Sequence, residues 1–265
     1  MATTIHAYFI QCITNLHVGS GDANYGVVDK LVQRDPVTGF PTIHASSMKG
    51  ALREHFEKRW KDFPERIKSI FGTEDRINSA SGDYSFLGAD LIAMPVRCNY
   101  QQYSQAFCAQ LAEMINAKST VLVKKELFNL NQLSDNSIYI NQNTLPTQDI
   151  FIEDDLLTKR NFANPVKCTG IDSFQRKFAF VDNEKFAVYA KKLPVIARNY
   201  LENGTSQNLW YEEIVPHQSV FVTYIAASEN YFIDFEKELN EGIIQIGANA
   251  SIGYGLCKFS KINWL

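Results

Sequence analysis

Apolar and polar side chains alternate from Ile5 to Ile13, the period-two pattern of a strand with one buried face. A stretch rich in glycine, aspartate and asparagine, His17 to Tyr25, breaks that pattern and reads as a loop. Val27 to Gln33 suits a short strand, and Asp35-Pro36 with Thr38-Gly39 marks a turn after it. The period then changes. Met48, Leu52, Phe56 and Trp60 recur at helical spacing, and Ser46 or Ser47 stands where such a helix needs its cap. Phe71-Gly72 closes this region. Tyr84 to Val96 reads as a strand interrupted at Gly88-Ala89. Tyr100 to Ala117 reads as a second amphipathic helix with Phe107, Leu111, Met114 and Ile115 on one face. Leu130 to Leu145, rich in Asn and Gln, gives mixed signals. Phe186 to Leu193 has a helical pattern. Pro194 opens the stretch Val195 to Trp210, and Asn203-Gly204 within it is a strong hairpin-turn signal. Gln218 to Ala226 predicts a strand, Tyr231 to Leu239 a helix, and Gln245 to Trp264 a glycine-punctuated loop running into an alternating strand. Strands and helices mix without regular alternation, and no repeat, low-complexity tract or linker divides them. The pattern predicts the α+β class.

Composition narrows the class of protein more than its chemistry. The 265 residues suit one elaborated domain or two small ones, and 45% hydrophobic with 21% charged residues is the balance of a soluble globular chain. No apolar run reaches the ~18 residues that span a bilayer, and Met1 to Ile13 lacks the basic leader of a signal peptide. Five scattered cysteines (Cys12, Cys98, Cys108, Cys168, Cys257) form no C-x-x-C pair, which fits reduced thiols in a cytoplasmic protein. Lys plus Arg is 26 against 29 Asp plus Glu, a net charge of −3. Nucleic-acid binders are usually basic, so such a role requires the cations to be gathered on one face. Taken alone, the charge favours a small-molecule enzyme.

Three constellations carry possible chemistry. His17-Val18-Gly19-Ser20-Gly21 lets a backbone approach a phosphate closely, although a plain turn has the same composition. Ser46, Ser47, Lys49 and Arg53 sit at a helix start. The dipole and open N–H groups there attract phosphate, and Lys49 and Arg53, four apart, share a face. A capped surface helix with solvated charges would look alike. Gly247, Asn249, Gly253 and Gly255 punctuate a loop that lacks the order of a dinucleotide fingerprint. The histidines show no metal-binding spacing, and no G-x-S-x-G occurs. Glu212 and Glu213 are adjacent and, in an extended segment, point to opposite faces. By itself the pair suggests one solvated and one paired carboxylate.

The order of these stretches is more specific than any one of them. LHVGSGDANYGVVDKLVQRDPVTGFPTIHASSMKGALR, from Leu16 to Arg53, resembles the N-terminal region of RAMP superfamily proteins of CRISPR effector complexes. It is closest there to the repeated backbone subunit of type III-B (Cmr) complexes. Phe71-Gly72, LPVIARNYLENGTSQNLWYEEIVP and IQIGANASIGYGL resemble the same family. The resemblance implies one RAMP domain over residues 1–265, with a modified ferredoxin-like (RRM-like) core and a β-hairpin thumb at about 195–210. It implies a cytoplasmic endoribonuclease that binds guide crRNA, stacks with copies of itself in a helical filament beside other Cmr subunits, and cuts single-stranded target RNA. No membrane is involved. The family's catalytic aspartate falls on Asp29, which would also hold a divalent ion such as Mg or Mn, and the loop histidine falls on His17. Ser46, Ser47, Lys49, Arg53, Gly247, Asn249, Gly253 and Gly255 become candidate RNA contacts, and Glu212 and Glu213 candidate supports of the active site. The chain departs from the family at Ala248, Ile214 and Tyr254. A non-catalytic filament subunit and a stand-alone crRNA-processing nuclease leaning on His17 are the competing readings.

Overall fold

The computed structural model describes residues 3–21, 26–73, 79–132, 137–140, 147–161, 168–169 and 178–264. The elements run β1 (Thr4–Cys12), β2 (Thr42–Ile43), α1 (Ala45–Arg59), α2 (Pro64–Phe71), β3 (Ser85–Phe86), β4 (Ala89–Val96), β5 (Ser104–Phe107) and α3 (Ala109–Val123). After a short 3-10 turn come β6 (Ser137–Ile140), β7 (Ile150–Ile152), β8 (Asp155–Asn161), β9 (Cys168–Thr169), β10 (Phe178–Phe180) and α4 (Asn183–Lys191). The last third holds β11 (Val195–Glu202), β12 (Thr205–Glu213), β13 (Val220–Ala227), α5 (Phe232–Glu241), β14 (Ile243–Gln245), β15 (Leu256–Lys261) and β16 (Asn263–Trp264). Among the described residues no helix is long and apolar enough to cross a membrane.

A large, mostly antiparallel sheet organises the chain in the order β14-β15-β1-β13-β4-β5-β10-β6-β8-β7. β1 is central, paired to β13 and β15, so its backbone bonds are satisfied on both edges. Its alternation does not leave one face in water. Tyr8, Ile10 and Cys12 pack with Met48, Leu52 and Phe56 of α1 and Phe235 and Leu239 of α5, while Ala7 and Phe9 pack with Ala112 and Ile115 of α3. Helices therefore cover both faces. Phe56 of α1 stacks on Phe235 of α5 at 4.6 Å, which locks the two helices together, and meets Trp60 at the end of its own helix edge-on at 4.7 Å. Cys12, Cys98 and Cys257 are free thiols; the Cys168 side chain lies outside the described residues.

Several expectations shift. Ser104–Phe107 is a strand with all four side chains buried, so the helix expected from Tyr100 begins only at Ala109. Phe107 belongs to the sheet, where it packs on Phe128 and Phe180. Val27 to Gln33 forms isolated bridges (Gly19 with Val32, Lys30 with Glu212) in place of a strand. Pro64 starts a separate helix, α2, that the apolar pattern did not separate from α1. The mixed stretch from Leu130 gives a 3-10 turn and β6, and residues 141–146 lie outside the described residues. The Asn203-Gly204 hairpin is present and runs to Glu213, longer than the expected end at Trp210. β11 and β12 form a two-stranded sheet that joins no other strand, and beyond the Lys30 bridge at its base Tyr200, Leu201 and Leu209 are more than half exposed.

Candidate functional site

The loop after β1, the glycine loop before β15 and the base of the β11–β12 hairpin meet beyond the end of β1. Leu16 and Val215 exchange backbone hydrogen bonds of 2.9 and 2.8 Å, which fixes the loop to the end of the hairpin. His17 follows and is buried at 3% exposure. Its Nδ1 lies 2.7 Å from the Glu213 carbonyl, which can only accept, so Nδ1 carries the proton. The His17 carbonyl accepts from the Ala248 N–H at 2.9 Å. Gly247 makes this approach possible: its φ is +79°, and a Cβ there would lie 2.4 Å from the His17 carbonyl oxygen. His17 is thus a post between two loops, with no open face toward a phosphate.

Gln33, buried at 7%, ties the same loop to α1. Its amide donates to the Gly19 carbonyl at 3.2 Å and to Ser47 Oγ at 2.9 Å, and its carbonyl accepts from the His44 N–H at 2.7 Å. His44, not a serine, occupies the cap position, and no side chain caps the helix. Ser47 is engaged by Gln33 from the side, and Ser46 is exposed at the helix start. Arg53 pairs along the helix with Glu57 at 2.8 Å, so part of its charge is already met; Lys49 is half-buried beside it.

Asp29 stands on the hairpin. Its N–H and that of Lys30 both donate to the Tyr211 carbonyl, at 3.0 and 3.1 Å, and Tyr211 N–H donates to Asp29 Oδ2 at 2.7 Å. The side chain is exposed, and Oδ1 has no partner among the described residues. The Glu213 N–H donates to the Lys30 carbonyl at 2.9 Å, completing the seam.

Both acidic neighbours of Tyr211 are buried and paired, which corrects the expectation of one solvated carboxylate. Glu213, at 5% exposure, accepts from Arg34 Nη2 at 2.5 Å and from the Val32 N–H at 3.1 Å. Arg34 also donates to the carbonyls of Gly39 and Ala190, each at 2.8 Å. Glu212, at 1%, accepts from Trp210 Nε1 (3.1 Å), Lys30 Nζ (3.2 Å), Asn249 Nδ2 (2.9 Å) and Arg198 Nη1 (3.5 Å). Burial pushes the Glu212 carboxyl up, but the Trp210 and Lys30 hydrogen bonds and the nearby His17 outweigh it and hold it below the usual glutamate value. Lys30 lies over the Trp210 ring at 5.1 Å, and Arg198 faces the Trp210 and Tyr254 rings at 5.9 and 5.8 Å.

Asp29, Glu212 and Asn249 are therefore brought together, with His17, Gly247 and Glu213 beneath them. Ser46, Ser47, Lys49 and Arg53 form a neighbouring cluster joined to them through Gln33. Gly253 (φ +81°) and Gly255 (φ +74°) shape the glycine loop, and the Gly255 N–H donates to the Asn15 carbonyl at 2.7 Å. Sequence reasoning passed over Lys30, Gln33, Arg34, Arg198 and Trp210. Lys30 and Gln33 lay within the stretch read as a short strand and Arg34 directly after it, where no local signal showed what their side chains would meet.

Among the described residues no group of three or more His, Cys, Asp or Glu side chains is arranged to hold a metal. Asp29 offers one carboxylate oxygen. That fits a magnesium-type ion, which takes one or two protein carboxylates and completes its shell with phosphate and water.

A family model described as the RAMP superfamily matches residues 9–258. The CRISPR system Cmr endoribonuclease Cmr4 of Pyrococcus furiosus is 26% identical over 278 aligned residues, covering 94% of this chain and 92% of that protein. A chain of the type III-B Cmr-beta cryo-EM structure in the apo state has a TM-score of 0.79 at 21% identity, covering 99% of this chain and 97% of that one. Oligomeric Cmr4 from Pyrococcus furiosus has a TM-score of 0.71 at 16% identity, covering 98% of this chain and 99% of that one. At these identities the structures establish the fold, and the large mixed sheet described above is the Cmr4 fold. The family match runs from β1 to β15 through every loop that builds the site: this chain belongs to the RAMP superfamily.

Proposed function

We propose that this chain is the repeated backbone subunit of a type III-B CRISPR effector complex. It binds guide crRNA and cuts the complementary single-stranded target RNA at regular intervals. The observation that carries this reading is an exposed aspartate, Asp29, held by the backbone of a hairpin that projects without a sheet partner. The name of the Pyrococcus furiosus relative supports an endoribonuclease, and the oligomeric form of that protein supports stacking with copies of the same chain. Other Cmr subunits, the crRNA and the target are the remaining partners, and the complex works in the cytoplasm.

The strand order β15-β1-β13-β4, with α1 after β1 and α5 after β13, supports a ferredoxin-like core within one RAMP domain. The hairpin is read as the thumb. Its tip residues Tyr200, Leu201 and Leu209 are exposed apolar groups of the kind that wedge between bases. The uncapped start of α1, with Ser46, Ser47, Lys49 and Arg53, supports guide-phosphate binding, as does the glycine loop with Gly247, Asn249, Gly253 and Gly255.

Cleavage by the target's own 2′-hydroxyl needs in-line geometry above all, which a wedge supplies by distorting the duplex. Asp29 provides the carboxylate, either taking the hydroxyl proton or holding a Mg or Mn ion with its free oxygen. Such an ion would neutralise charge on the phosphate. His17 and Glu213 hold the loop from beneath, and Glu212 holds Lys30 and Asn249 beside it. The burial of His17 takes away the residue on which a stand-alone processing nuclease would lean. The test is to purify the complex with its crRNA and offer an end-labelled complementary RNA. Fragments at a constant spacing are expected; an intact target, or a single cut in the crRNA precursor, would overturn the reading.

A further inference from the structure

We propose that Lys30 supplies the positive charge that meets the scissile phosphate of the target. The inference rests on the cleavage reading above and adds a catalytic residue to it. Glu212, a single buried carboxylate, is approached by two cations, Lys30 at 3.2 Å and Arg198 at 3.5 Å, and it can neutralise one. The two are placed differently. Arg198 faces the Trp210 and Tyr254 rings and its side chain is 21% exposed, whereas that of Lys30 is 53% exposed. The charge that Glu212 leaves over is shared between the two cations, and Lys30, the more exposed of them, presents it at the open end of the cluster.

Its position is fixed from three sides. The Tyr211 carbonyl receives the N–H groups of both Asp29 and Lys30, the Lys30 carbonyl receives the Glu213 N–H, and the ammonium rests over the Trp210 ring at 5.1 Å. Glu212 engages one of its three donors, so the others remain for an incoming oxygen. The ammonium thus stands at the hairpin base beside the residue that holds Asp29.

The chemistry calls for such a group. The 2′-oxygen gives up its proton to a base and bonds to phosphorus as the bond from phosphorus to the 5′-oxygen breaks. The products are a cyclic 2′,3′-phosphate and a 5′-hydroxyl, whose oxygen takes a proton from water. On the way, the non-bridging oxygens gain a second negative charge. A fixed ammonium at those oxygens stabilises that state more than the ground state.

The test uses the assembled complex with crRNA and a complementary target. Lys30→Ala is expected to cut about 10- to 100-fold more slowly, below the ~10²–10³-fold typical for loss of one charge-stabilising donor because the site is half open. Target affinity should be unchanged, and Lys30→Arg should stay within several-fold of the parent. A sulfur replacing a non-bridging oxygen at the cut should slow the parent complex more than Lys30→Ala, because the contact is already gone in the variant. If Lys30→Ala does not assemble, Lys30→Gln, which keeps a donor for Glu212, carries the same comparison. Parent-like cleavage by Lys30→Ala, with Asp29→Asn inert, overturns the assignment and leaves the cleavage reading standing. Slow cleavage with an equal sulfur effect in both proteins also overturns it, since that marks a structural role. A parent complex that does not cut removes both.

Discussion

Glu213→Ala tests whether the seam under Asp29 is a stabilising element or a passive contact. The carboxylate is 5% exposed and serves two donors, Arg34 Nη2 at 2.5 Å and the Val32 N–H at 3.1 Å. Removing it leaves the Val32 N–H buried without a partner, at a cost of about 1–3 kcal/mol. It also leaves the Arg34 guanidinium without its counter-charge. Breaking a fully buried pair costs about 3–5 kcal/mol, but the Arg34 side chain is 22% exposed and keeps the Gly39 and Ala190 carbonyls. Its share is smaller for that reason, and the sum is about 2–4 kcal/mol. For a chain of this size each kcal/mol lowers Tm by about 2–4 °C, so a fall of roughly 5–15 °C is expected. Urea denaturation of the subunit gives the same quantity through the midpoint. Glu213→Gln keeps one acceptor and should lose about half as much. A Glu213→Ala protein within about 0.5 kcal/mol of the parent would refute the reasoning, because that is the scale of an ordinary surface change.

Replacing Lys49 and Arg53 with Ala should weaken crRNA binding without sequence preference and lower its salt slope by up to about 2, each lost phosphate contact removing about 1. Because Arg53 already pairs with Glu57, Lys49 should carry the larger part; an unchanged slope in a salt titration rules the contact out. Deleting the hairpin tip around Asn203-Gly204 should leave the thermal transition near that of the parent, since β11 and β12 join no other strand, and should abolish the regular cleavage pattern. Loss of folding in that variant would assign the hairpin to the core. Glu212 predicts a pH effect: its carboxyl is held below the ordinary value of 4.5, so the stability it contributes is full above that pH and lost as pH falls through the lower folded value. Glu212→Gln should flatten the acid limb of a plot of urea midpoint against pH, and an unaltered limb would show that its charge contributes nothing.

The parts of the fold legible in the sequence were those decided by local chemistry. Helical spacing located α1, period-two alternation located β1, Asn203-Gly204 located the hairpin turn, and the strand expected at Gln218 to Ala226 and the helix at Tyr231 to Leu239 are β13 and α5. Ser104–Phe107 was misread because its two polar residues, Ser104 and Gln105, are both buried and fall one on each face, so they mark no period of two, and Phe107 merged with the apolar stripe of α3. The site was legible where backbone freedom marks it: Gly247 stands where His17 approaches too closely for any Cβ. Its ionic part was not. Counting outward from the Asn203-Gly204 turn pairs Trp210 with Ala197, but a bulge between Tyr200 and Leu201 shifts the register by one and sets Trp210 opposite Arg198. Arg198 reaches Glu212 and Tyr254 only in that shifted register. Glu212 and Glu213 share one strand yet both find donors, because the loop after β1 and the glycine loop approach the hairpin base from different sides.

In the proposed function Asp29 cuts the target and does not bind it. The direct measurement is cleavage of a labelled complementary RNA by a complex in which every copy carries Asp29→Asn, with guide and target affinities measured on the same preparation. Asparagine keeps an oxygen to accept the Tyr211 N–H and removes the charge. Near-normal affinities and a target left whole at every site are expected, with cleavage down by about 10²–10⁴-fold for loss of a general base. If the carboxylate acts by holding an ion, the defect should shrink as divalent-ion concentration rises. Cleavage at the parent rate and spacing would contradict the account and leave the chain a structural subunit of the filament.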